Sequence, residues 1–95
     1  MAYRLMAHPR LARDLERTPA RIAKELRKAL EVLAKAPEGR HDIKRIQSVS
    51  MSPPTLRLRV GTYRILLKID HDRKEIIVLK LGPRAQVYKG LDHLD

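Results

Sequence analysis

Leu56-Arg57-Leu58-Arg59-Val60-Gly61-Thr62-Tyr63-Arg64-Ile65-Leu66-Leu67-Lys68-Ile69 (residues 56–69) decides the fold. Two alternating runs of aliphatic and basic residues flank Gly61-Thr62, which has the Gly-X form of a two-residue type II′ hairpin turn. That turn sets the register. Val60 faces Tyr63, Arg59 faces Arg64, Leu58 faces Ile65, Arg57 faces Leu66 and Leu56 faces Leu67. Because side chains alternate faces along a strand, Leu56, Leu58, Val60, Tyr63, Ile65 and Leu67 share a core face. Arg57, Arg59, Arg64 and Lys68 share the other. Like charges directly opposite destabilise a sheet by up to about 1 kcal/mol. An Arg59–Arg64 pair is therefore most useful with an anion above it, and guanidinium groups grip phosphate through two parallel hydrogen bonds. The plain alternative is a solvated cationic face.

Composition narrows the choice. Ninety-five residues predict a single domain spanning 1–95, with a modest core. Lysine and arginine number 21 against 11 acidic residues, a formal net charge of +10, which favours nucleic acid or an acidic protein as partner. The chain has no cysteine, so disulfide and thiolate chemistry are excluded and a cytoplasmic location is compatible. No stretch reads as a signal peptide or a membrane span. Phe and Trp are absent and Tyr numbers 3, which leaves little for base stacking on aromatic platforms.

Working outward from the hairpin, Ala2 to Ala7 reads as a first strand ended by His8-Pro9. Pro9 suits the opening of a short helix to about Arg17, with Leu11 and Leu15 on one side. Thr18-Pro19 predicts a helix restart with Thr18 as N-cap. Ile22, Leu26, Ala29, Leu30 and Leu33 then form an apolar stripe to about Lys35, and Ala36-Pro37-Glu38-Gly39 ends it. Asp42 to Val49 predicts an edge strand, and the prolines at 53 and 54 a loop. Asp70 to Arg73 reads as a polar turn in which His71 points to solvent. Glu75 to Leu81 is nearly continuously apolar, which predicts a central strand covered on both faces. Gly82-Pro83 should break it, and Arg84 to Leu91 suits a terminal helix.

The expected fold class is α+β: an N-terminal strand, a two-helix hairpin packed on one face of a twisted, mainly antiparallel sheet, and a short C-terminal helical tail. Leu66 falls on the arginine face, which is then too apolar to be wholly solvated. A partner segment is expected to cover part of it.

The element order, the phrase LRLRVGTYRILLKI and the closing IIVLKLGPRAQVYKGL resemble the RelE/ParE superfamily of toxins. The likeness is close over residues 55–90 and looser over 1–54. It implies a toxin neutralised by a cognate acidic antitoxin. RelE-like members cleave mRNA on the ribosome without a metal, through attack of the RNA's own 2′-hydroxyl on the adjacent phosphate. They need no small-molecule cofactor. On the same resemblance, Arg57, Arg64, Arg84 and Tyr88 are the candidate catalytic residues. Arg64 would stabilise phosphoryl charge, Arg57 would contact or activate the RNA, and Tyr88 would meet a base. Arg59, Lys68, Lys80 and Lys89 are candidate RNA-phosphate contacts. One departure stands out: active RelE-type enzymes commonly place lysine where this chain has Arg57, and another basic residue where it has Thr55. Arginine is a poor proton acceptor, which weakens general-base chemistry but not charge stabilisation.

Other readings run alongside. A ParE-like inhibitor of DNA gyrase without nuclease activity would accommodate Arg57 in place of lysine, and an inactive binding module would need no site at all. Tyr63 lies on the core face and is expected to pack there. Lys80 also fits a strand-end side chain reaching for solvent. His8, His41, His71 and His93 have no metal-ligand spacing.

Overall fold

The structure, a computed structural model, describes residues 2–46 and 53–87. Its elements run β1 (Arg4–Ala7), α1 (Leu11–Glu16), α2 (Ala20–Lys35), β2 (Ile43–Arg45), β3 (Thr55–Val60), β4 (Tyr63–Asp70), β5 (Glu75–Pro83) and α3 (Arg84–Val87). The five strands form one sheet in the order β1-β5-β4-β3-β2. The β1–β5 pair is parallel and the other three are antiparallel, so the expected α+β, mainly antiparallel architecture is the one observed.

The β3–β4 hairpin has the register read from its turn, including Arg59 opposite Arg64 and Val60 opposite Tyr63. Gly61 sits at φ 59°. Thr62 is not in the positive-φ region, so the pattern is that of a type II′ turn. One face of the sheet is packed by α1 and α2. Leu11, Leu26, Leu33, Leu58, Ile65, Leu67, Ile76, Val78 and Leu81 make the buried centre. Leu15, Ile22, Leu30, Tyr63 and Val60 lie partly buried around it. The stripe on α2 performs the predicted task, with Leu26 and Leu33 fully buried.

Several local expectations are corrected. Helix α1 starts at Leu11, beyond Pro9. Thr18 does not cap α2. Its hydroxyl donates to the carbonyl of Asp14 at 2.7 Å, closing the end of α1, and Pro19 is the N-cap residue of α2 without a side-chain bond. β2 covers only Ile43–Arg45 of the predicted 42–49 strand; residues 47–49 fall outside the described residues. His71 is exposed but engaged: its Nδ1 lies 2.9 Å from the Tyr3 hydroxyl, across a T-shaped ring contact. This ties the approach to β1 to the β4–β5 turn.

Two larger differences affect the site. First, the strand covered on both faces is β4, where Arg64, Ile65, Leu66 and Leu67 are consecutively buried. β5 is central, but Ile77 and Leu79 are only half-buried. β4 gains this cover because α3 packs over it and β5. Leu66, expected to await a partner, is 1% exposed within the chain itself. Second, Gly82-Pro83 does not end β5. The strand continues through Pro83, which pairs with Tyr63. Proline is tolerated at a strand end, where the lost N–H need not complete the ladder. Gly82 lies under the next element: a Cβ there would meet Val87 of α3 at 4.0 Å, an ordinary contact distance.

Candidate functional site

The hairpin turn, the end of β5 and the start of α3 meet at one corner of the sheet. Extension of β5 through Pro83 carries the chain alongside the turn. The backbone N–H of Arg84 donates to the carbonyl of Thr62 at 2.9 Å, which fastens α3 there. Arg57, Gly61, Thr62, Arg64, Pro83, Arg84 and Ala85 together line a cleft of about 750 Å³.

Arg64 is the fixed centre of this cleft. It is 8% exposed. Its Nη1 donates to the carbonyls of Gly61 and Tyr63, both at 2.9 Å, while its Nε is buried without a hydrogen-bond partner. Among the described residues no carboxylate lies within ion-pair distance of it. Neutral carbonyls satisfy donors but supply no full countercharge. A buried cation in that condition favours an incoming anion. The guanidinium groups of Arg57, half-buried, and Arg84, exposed, make no hydrogen bond or ion pair among the described residues. The arrangement can hold a phosphate and neutralise charge developing on it.

The other sequence-predicted residues fall elsewhere. Arg59 is opposite Arg64 in register but turns toward the sheet edge, where its Nε forms an ion pair with Asp42. Lys68 shares the arginine face but pairs with Thr55, away from the turn, and does not line the cleft. Thr55 is buried, so it belongs to the packing. Lys80 lines a separate hollow of about 500 Å³ with Asp14, Arg17, Tyr63 and Gln86. Lys80 pairs with Leu66 and so keeps the arginine face, but it lies on β5 beyond the stretch that β1 pairs with; the bulge at Leu79 instead brings Ile76 and Val78 to the core face with Leu81. Tyr88 and Lys89 lie outside the described residues. Sequence reasoning misses Thr62 and Pro83 as walls of the cleft, because Gly82-Pro83 reads locally as a strand break. The available signal was Gly82, which could pair opposite Arg64 in the same antiparallel register.

Among the described residues no group of three or more His, Cys, Asp or Glu side chains could hold a metal ion. No described helix is long and apolar enough to cross a membrane.

Comparison with known proteins identifies the family and the fold. Residues 5–88 match the family described as the ParE toxin of the type II toxin–antitoxin system, parDE. A RelE1 toxin candidate from Methanocaldococcus jannaschii is 29% identical over 92 residues, covering 95% of this chain and 99% of that protein. The toxin–antitoxin complex RelBE2 of Mycobacterium tuberculosis contains a chain 26% identical, with a TM-score of 0.73, covering 88% of this chain and all of that one. The archaeal RelE–RelB complex of Pyrococcus horikoshii shares the fold at 24% identity and a TM-score of 0.74, covering 92% of this chain and 100% of its counterpart. With the family match spanning most of the sequence, and the sheet, the helices and the hairpin corner in place, the chain belongs to the ParE toxin family within the RelE/ParE superfamily of type II toxin–antitoxin toxins.

Proposed function

We propose that this toxin is a RelE-like endoribonuclease that cuts mRNA on the ribosome, with the Arg57–Arg64–Arg84 cleft receiving the scissile phosphate. The observation that carries the reading is Arg64: a buried guanidinium, oriented by two carbonyls and lacking a carboxylate partner among the described residues. In the reaction, the RNA 2′-hydroxyl oxygen bonds to phosphorus and the bond to the 5′-oxygen breaks. A cyclic phosphate and a 5′-hydroxyl end result. Arg64 and Arg84 stabilise the charge that gathers on the phosphoryl oxygens, and Arg57 orients the strand. The described lining contains no histidine, lysine or carboxylate. Catalysis by these residues is therefore electrostatic, and proton transfer falls to groups on the substrate, the ribosome or the chain's remaining residues.

A cognate acidic antitoxin is the expected inhibitor, because +10 of net charge needs a counterpart. The burial of Leu66 moves the apolar part of that contact to β1. There Leu5 and Met6 are exposed on an edge strand and border a hollow of about 190 Å³ lined by Leu11, Leu15 and Leu30.

A second reading, a gyrase inhibitor without nuclease activity, is favoured by the family matched and by the lack of a proton acceptor in the described lining. The two are separated by running the purified protein in a translation extract and in a gyrase supercoiling assay, wild type beside Arg64→Ala. Inhibited translation that Arg64→Ala relieves supports the nuclease. Inhibited supercoiling with unaffected translation supports the alternative.

A further inference from the structure

The cationic surface does not stop at the cleft. In the β2–β3 pair Lys44 stands directly opposite Arg57, on the same face, and is exposed. One step closer to the turn, Asp42 flanks Arg59. The Arg59 backbone N–H donates to the Asp42 carbonyl at 2.9 Å, and the two side chains are ion-paired. That pair is open to water, with Arg59 59% and Asp42 45% exposed. Exposed pairs of this kind contribute little and exchange partners readily. Lys44 and Arg57 make no hydrogen bond or ion pair among the described residues.

We propose that Lys44, Arg57 and Arg59 form a second phosphate subsite beside the cleft, with Asp42 holding Arg59 aside until the next phosphate of a single-stranded RNA displaces it. This rests on the reading that the cleft takes an RNA phosphate. The cations step from β4 to β3 to β2, and neighbouring strands lie ~4.8 Å apart. Such a row runs across the strands and suits a polymer with one charge on every unit. Three of its members, Arg64, Arg57 and Arg59, present planar forks that fit phosphate oxygens. Asp42 acts as a positioning residue: it competes with the RNA for Arg59 and touches no substrate itself.

The test uses the full chain and a 2′-O-methyl RNA hexamer, which lacks the attacking hydroxyl and is not cut. A 2′-O-methyl mononucleotide phosphate is the short probe. Affinities are measured by fluorescence anisotropy for the hexamer and by competition for the mononucleotide, over a series of salt concentrations. Circular dichroism confirms that each variant is folded. Lys44→Ala is expected to weaken the hexamer about threefold to tenfold, as for loss of one exposed charge-assisted contact. It should lower the magnitude of the salt slope by about 0.7, the value for one phosphate on a single strand. The mononucleotide should be unaffected. Asp42→Asn is expected to tighten the hexamer, and Arg59→Ala added to it should erase that gain. If Lys44→Ala and Asp42→Asn leave the hexamer unchanged while Arg64→Ala weakens it, the second subsite is overturned and the cleft stands. An oligo-aspartate peptide that binds as tightly and is equally sensitive to Lys44→Ala overturns it in favour of an acidic protein surface. If the wild type does not bind the hexamer, or Arg64→Ala makes no difference to it, the RNA reading itself fails and takes the subsite with it.

Discussion

Arg64 shows how one side chain is prepared for a charged partner. Carbonyl oxygens of Gly61 and Tyr63 fix its orientation in advance, so little conformational entropy remains to be lost when an anion arrives. Lysine at this position keeps the charge but loses the planar fork. Arg64→Lys is therefore expected to leave the protein folded and to reduce mRNA cleavage at least about tenfold, since one or two oriented donors are lost. Single-turnover cleavage on programmed ribosomes measures this; full activity in the lysine variant would show that bare charge suffices. Gly61 matters for a different reason. A Cβ there meets open space, but φ of 59° is a conformation that an L side chain adopts only at a cost. Gly61→Ala should destabilise the fold by about 1–2 kcal/mol, read from the urea midpoint. The same turn supplies one of the carbonyls that hold Arg64, so the variant should lose activity as well.

Among the elements, β4 carries both core residues and the centre of the candidate site. Its core side carries Ile65 and Leu67, both fully buried, and its other side presents Arg64 to the cleft. Ile65→Ala is expected to cost about 2–5 kcal/mol in denaturant unfolding, the usual range for truncating a buried aliphatic residue. Val32, 50% exposed on α2, should tolerate alanine within about 0.5 kcal/mol. The hairpin was legible because its turn chemistry and its period-2 pattern agree, and together they fix every cross-strand pair. The α2 stripe was legible for the same reason at helical period. Less could be read where a local signal competed with a tertiary one. Thr18-Pro19 resembles a helix start, yet the threonine hydroxyl found the Asp14 carbonyl of the preceding helix. Gly82-Pro83 resembles a break, yet pairing with β4 holds the strand to Pro83. The same limit applied at the site. Alternation placed Arg57 and Arg64 on one face, but it could not show that Asp42, distant in sequence, draws Arg59 aside. Nor could it show that Lys80, though on that face, lines a separate hollow.

At the scale of the molecule, the sheet separates two tasks. Helices α1 and α2 cover one face and close the core, while on the other the hairpin corner gathers cations where β4, β5 and α3 meet. A net charge of +10 makes association with any polyanion depend on salt, so binding to ribosomes should weaken steeply between low and physiological ionic strength. Neutralising the exposed apolar edge is a separate matter. Leu5→Asp with Met6→Asp is expected to weaken antitoxin capture in a pull-down without affecting cleavage, because β1 pairs with Glu75 to Val78, the end of β5 away from Pro83 and the cleft. The most direct measurement is end-mapping of an mRNA incubated with translating ribosomes and the purified protein. A nuclease centred on Arg64 should leave new 5′-hydroxyl ends with the wild type, and ends about a hundredfold rarer with Arg64→Ala, the scale set by removing one preorganised donor from developing charge. Intact transcripts with the wild type, or cleavage that Arg64→Ala leaves unchanged, would contradict it.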